Sequence, residues 1–127
     1  MDKDVKYWVD LSSYDIGTAL AMYKTGRYIY VLFMCQQAAE KMLKALIVHR
    51  TKSFPPKVHD LERLAGVCRL ELPTEHAELL RALTAYYIET RYPEDVKKIA
   101  RDIDRGKARD YLTRTKSWLS WLRKQFV

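Results

Sequence analysis

YIYVLFMCQQAAEKMLKALIVHR, from Tyr28 to Arg50, reads as one long helix that is apolar on more than one side. At 3.6 residues per turn, Tyr28, Val31, Leu32, Cys35, Ala39, Met42, Leu43 and Leu46 form one wide apolar face. The opposite side carries Tyr30, Phe33, Met34, Gln37, Lys41, Lys44 and Val48. A helix with one apolar stripe lies on a surface, whereas one with two sits between other helices or between two subunits. On the second stripe, Gln37, Glu40, Lys41 and Lys44 follow three large apolar side chains, and a site or a subunit contact would be built there. An exposed Glu40–Lys44 pair adds only about 0.3–0.5 kcal/mol, and the helix would form without it. Tyr30, Phe33, Met34, Gln37 and Lys41 are therefore the expected dimer or partner face. The alternative is that this face packs on the final helix.

Working outward, the first helix is expected from Asp2 or Lys3 to Lys24, with Val5, Trp8, Ser12, Ile16, Ala19, Leu20 and Tyr23 on one face. Gly26 ends it as a left-handed C-terminal residue, and so short a turn returns the next helix antiparallel. After the long helix, Pro55 and Pro56 impose an extended connection. Asp60, or His59, caps a short third helix with Leu61, Leu64, Ala65 and Cys68 at helical spacing. A fourth helix is expected over residues 74–91, capped by Thr74, with Ala77, Leu80, Thr84 and Tyr87 facing inward. Pro93 is expected to end it, and the polar stretch EDVKKIARDIDRG to lead into a last helix holding Ala108, Tyr111, Leu112, Thr115, Trp118, Leu119, Leu122 and Phe126. This pattern of four long helices and one short one predicts an all-α fold. It is an antiparallel four-helix up-and-down bundle with one extra short helix, in a single domain over residues 1–127.

Composition agrees. The chain of 127 residues is 48% hydrophobic and 31% charged with only four glycines and four prolines, which suits a helical domain and argues against disorder. No apolar run reaches the roughly 18–20 residues that span a bilayer, and MDKDVKYWVD has no apolar signal region, so a cytoplasmic location is expected. Cys35 and Cys68 lie inside predicted helices, form no CxxC pair and no metal-ligand spacing, and read as buried inert thiols. The net charge of +7 is unevenly placed. Residues 91–127 hold eleven basic and five acidic side chains, while residues 1–90 are nearly balanced. A positive final third attracts phosphates on a nucleotide, on RNA or on an acidic protein; it also serves as a plain solvated helix face.

Three stretches stand out together: QQAAEKMLKAL at 36–46, HDL at 59–61 and YYIETRYPED at 86–95. With Gly26, Arg27 and Tyr28 at the first turn, their order resembles the HEPN domain family over nearly the whole chain. That resemblance implies an antiparallel helical bundle that usually forms a homodimer. It also implies several roles. Some members are ribonucleases, often toxins; others pair with a minimal nucleotidyltransferase in a two-component module; small members have been linked to nucleotide binding. The ribonucleases carry an arginine followed after four to six residues by a histidine. Arg91 matches the arginine, but Val96, Lys97 and Lys98 stand where the histidine would fall. Acid–base chemistry near neutral pH needs a group that titrates there, and a lysine in a wet, polar stretch does not. Arg69 and His76 have a similar spacing but straddle the break at Pro73. The reading therefore leans away from an enzyme.

Arg91 falls four residues after Tyr87 and seven after Thr84, which projects it inward, where a guanidinium must find an anion or carbonyl acceptors. In one reading it holds a phosphate while Tyr87 or Tyr92 stacks a base. In the other it pairs with Glu40, Glu94 or Asp95 and anchors the loop. His59 is a cap or a packing residue, or it shares a phosphate with Arg91, with Lys44 as a further polar contact. His49 and His76 lie on predicted helix surfaces or ends and complete no metal set, and no phosphate-binding glycine loop or paired-carboxylate motif is present. No cofactor or metal is expected. Three roles stay open: a nucleotide- or RNA-phosphate-binding component of a toxin–antitoxin type module with a minimal nucleotidyltransferase, a metal-independent ribonuclease using Arg91, and a structural dimeric protein with no ligand site.

Overall fold

Asp2 starts the fold by accepting the Asp4 backbone N–H at 2.8 Å, which caps α1 (Lys3–Lys24). The computed structural model describes residues 1–89 and 91–127. α1 stops at Gly26, whose φ of 77° is left-handed. There the Arg27 N–H reaches the Met22 carbonyl at 2.8 Å and the Gly26 N–H reaches that of Tyr23 at 3.2 Å, which closes the helix end and turns the chain back. α2 (Tyr28–Thr51) then runs along α1 and touches every other helix of the bundle. From Ala38 to Val48 every residue but Lys41 is buried, so two apolar stripes do place this helix at the centre.

α3 (Leu61–Val67) is capped by Asp60, whose carboxylate accepts the Arg63 N–H at 3.1 Å. α4 (Thr74–Glu89), α5 (Pro93–Asp102) and α6 (Arg105–Arg123) complete the all-α bundle, with no strand among the described residues. Its core is built from Leu32, Leu43, Leu46 and Ile47 of α2, Leu61 and Leu64 of α3, Leu79, Leu80 and Leu83 of α4, and Trp118 and Leu122 of α6. Where α1 crosses α2, the buried Ser12 hydroxyl donates to the Ala38 carbonyl at 2.7 Å, so two small residues let the backbones meet without an unpaired polar atom. Cys35 and Cys68 are free and buried, and burial pushes the Cys35 thiol up to about 12.

Four expectations need correction. The stretch after Pro93 is a helix, which makes six helices among the described residues rather than five. Pro93 opens α5 instead of closing α4: its fixed φ suits a first helical position, and its missing N–H is not needed there. Tyr92 before it is extended, Glu94 and Asp95 sit in the positive first turn, and Ile99 and Ile103 are buried four apart. α4 ends at Glu89, and Thr90, which the expected fourth helix included, lies outside the described residues. Thr74 does not cap α4; it is already helical, and the Pro73 carbonyl accepts the N–H groups of His76 and Ala77 at 2.9 and 3.0 Å. His76, expected on a helix surface or end, lies in the first turn of α4; its ring is edge-on against Trp121, with centroids 4.9 Å apart, and its Nδ1 is buried without a partner among the described residues. No described helix is long and apolar enough to cross a membrane.

Candidate functional site

Gln36, Glu40 and Lys44 follow one another at single-turn spacing on the most deeply buried helix, and all three are buried. They form a continuous polar ladder. The Glu40 Oε1 accepts from the Gln36 amide at 3.2 Å and pairs with the His59 Nδ1 at 2.8 Å, while its Oε2 takes the Lys44 ammonium at 3.0 Å. The Gln36 amide also donates to the His59 backbone carbonyl at 3.0 Å. Gln36 and Glu40 thus grip His59 by main chain and ring, and this fixes the connection that leaves Pro55 and Pro56 and enters α3. Burial alone would raise the Glu40 pKa. The hydrogen bonds from His59, Lys44 and Gln36 together with the Lys44 charge outweigh it, so the carboxyl titrates below the usual carboxylate value. An ionised carboxylate only accepts, so Nδ1 carries the proton and Nε2 is the outward nitrogen of a ring whose side chain is 51% exposed.

The outer layer rests on Tyr87 of α4. Its ring is stacked on Phe33 at 5.4 Å and 23°, and the His59 ring meets it at 5.3 Å. The Arg91 guanidinium lies over the same ring, 6.0 Å from the centroid. Phe33, His59 and Arg91, from three separate parts of the chain, therefore share one aromatic shelf. On the inner side the Lys44 ammonium also faces the Trp8 ring at 5.6 Å.

Arg91, Tyr87 and His59 come together as the first reading requires. Arg91, however, is exposed and does not point inward, because it lies in the turn before α5 and not in a helix. It forms no ion pair with Glu40, Glu94 or Asp95 among the described residues, so the anchoring role has no counterpart there. Lys44 is buried behind the shelf, neutralising Glu40, and is not a surface contact. Tyr92 stands 59% exposed at the start of α5, with no described ring or cation packed on it. Of the expected partner face, only Tyr30 is open, at 55% exposure. Phe33 supports Tyr87, Met34 packs against the core, Gln37 donates to Gln36 at 2.7 Å, and Lys41 is held by Asp15 of α1. Sequence reasoning missed Gln36, and it put Phe33 on a partner face and not beneath Tyr87. The signal for Gln36 was present: three polar residues at four-residue spacing inside an apolar helix need one another.

Chemically, the shelf offers a guanidinium without a carboxylate partner among the described residues, an oriented imidazole and a flat aromatic surface. No group of three or more metal-ligating side chains lies together among the described residues.

The chain matches the family model described as the HEPN domain over residues 5–125. It belongs to the HEPN domain family. The solved structure of TT1696 from Thermus thermophilus is 25% identical, with a TM-score of 0.80, over 97% of this chain and 98% of that one. ST0689, described as an archaeal HEPN homologue, is 20% identical with a TM-score of 0.78, and each chain is covered in full. No curated protein matches the chain at a significant level. The HEPN assignment covers the aromatic shelf as well as the bundle, since Phe33, His59, Tyr87 and Arg91 all lie inside the matched span.

Proposed function

We propose that this HEPN protein is the nucleotide- or RNA-phosphate-binding component of a two-component module with a minimal nucleotidyltransferase, and that it acts as a homodimer. The observation that carries the reading is the meeting of Arg91 and His59 on the Tyr87 ring. A phosphate placed there takes two charge-assisted or polar donors, and the ring supplies stacking for the attached base. The uneven charge supports it, since a chain that carries its excess of basic residues from Arg91 onward draws polyanions toward that end of the sequence.

The test is calorimetric titration with nucleoside monophosphates and a short single-stranded RNA, with light scattering alongside. Arg91→Ala is expected to weaken binding about tenfold or more, the worth of one charged hydrogen bond. Absence of binding to nucleotide, RNA and a co-expressed nucleotidyltransferase at micromolar concentration would leave only the structural dimer.

The Glu40–His59 pair favours a second reading, a metal-independent ribonuclease. The missing histidine after Arg91 would be replaced by an imidazole from the loop before α3, with its Nε2 free to take a proton. Nε2 would remove the proton of a ribose 2′-hydroxyl, O2′ would bond to phosphorus, and the bond from phosphorus to the 5′ oxygen would break as that oxygen takes a proton from water, yielding a cyclic phosphate. RNA incubated with chelator distinguishes the two readings. Cleavage abolished by His59→Ala with the fold intact supports the enzyme, and intact RNA with wild-type protein retires it.

A further inference from the structure

A second site, sharing no residue with the aromatic shelf, lies where α6 crosses α1 and α2. A groove of about 520 Å³ opens there, within the range of small-molecule sites. Its floor is apolar, with Val9 and Ile16 of α1 facing Leu119 of α6. Its rim is cationic: Lys116, Ser120 and Arg123 follow at four- and three-residue spacing along α6. Neither Lys116 nor Arg123 forms an ion pair or a side-chain hydrogen bond among the described residues. The acids that could neutralise them are engaged elsewhere: on α1, Asp10 is held by Lys6 and Asp15 by Lys41, and Asp110, the only acid of α6, pairs with Arg114. The groove thus combines a shallow apolar floor with two positive charges unpaired among the described residues and no carboxylate in its lining.

We propose that this groove binds a small organic anion, an acidic group joined to an apolar body, such as an aryl or alkyl phosphate. The Arg123 fork suits an anion with at least two acceptor oxygens, and Lys116, about 10 Å away along the helix axis at 1.5 Å per residue, supplies a mobile second charge. The apolar body covers Val9, Ile16 and Leu119 and removes their surface from water. A bare inorganic anion gains only the charges, and a neutral aromatic gains only the floor.

The experiment is titration calorimetry of the full-length protein with phenyl phosphate, inorganic phosphate and benzyl alcohol at low ionic strength. Saturable binding of phenyl phosphate is expected, with the other two at least about tenfold weaker. Lys116→Gln with Arg123→Gln removes the preference for the anion; both residues are exposed, so the fold tolerates the change. Ser13→Phe, which places a ring at the groove without altering charge, blocks phenyl phosphate as well. All titrations are carried out in the Arg91→Ala background, which removes the aromatic shelf's phosphate contact, so the binding measured belongs to this groove. The proposal is overturned if phenyl phosphate does not bind, if inorganic phosphate binds equally well, or if the double substitution leaves the affinity intact.

Discussion

Glu40 holds three donors from three residues while almost wholly enclosed, and that arrangement sets its thermodynamic role. Replacing it with alanine leaves the Lys44 charge buried and unpaired, so Glu40→Ala is expected to lower the unfolding free energy by about 3–5 kcal/mol, measured by urea denaturation. The effect depends on pH in a defined direction. The folded-state pKa of Glu40 lies below the usual 4.5, so its carboxylate contributes fully at neutral pH. That contribution drains away as pH falls from about the ordinary glutamate value through the lower folded one. The stability gap between wild type and Glu40→Ala should therefore close as pH falls from about 5 toward 3; a gap that widens over that range contradicts the ladder. Under the proposed function, ligand binding would depend on the same grip. Arg91→Ala removes a surface charge and acts on ligand affinity alone, whereas a change at Glu40 frees the His59 ring and acts on both.

Two of the backbone choices at the helices that run against propensity each give a sharp expectation. Gly17 sits inside α1, and an added Cβ would meet no atom within 4 Å. Gly17→Ala should raise stability by about 1 kcal/mol, the usual helix-interior difference, seen as a higher urea midpoint. At the end of α3 the opposite holds: Arg69 occupies a left-handed position with φ of 54° while the Leu70 N–H closes on the Ala65 carbonyl. Arg69→Gly is expected to stabilise by about 0.5–1 kcal/mol on the same assay. Helix ends were also where the sequence was most and least legible. Gly26 and the Pro55–Pro56 pair each admit one meaning, and both were read correctly. Pro93 admits two, because a proline that cannot continue a helix is well suited to begin one; the spacing of Ile99 and Ile103 decides for a start. At the candidate site the residue types of Arg91, Tyr87 and His59 were readable. Their meeting was not, since His59 reaches Tyr87 only through the hold of Gln36 and Glu40 across the core, a tertiary fact with no local signature.

Taken whole, the molecule is unequal in its packing. α2 is enclosed on all sides along its C-terminal half, whereas α5 is pinned to the bundle chiefly by Ile99 and Ile103 at one end. Native-state hydrogen exchange should find the α2 amides slowest, exchanging only with global unfolding, and the α5 amides markedly faster through local opening. Equal protection in both would mean that α5 is held by more than these two side chains. The enclosure also reaches α6, where Trp118 is fully buried and its indole N–H has no partner among the described residues. Trp8 and Trp121, by contrast, keep part of their surface in water. Trp118 therefore gives the protein a built-in optical gauge. Its fluorescence belongs to the short-wavelength side of the emission band and resists quenching by iodide, so a red shift with new quencher sensitivity reports loss of the centre and not a rearrangement of the surface.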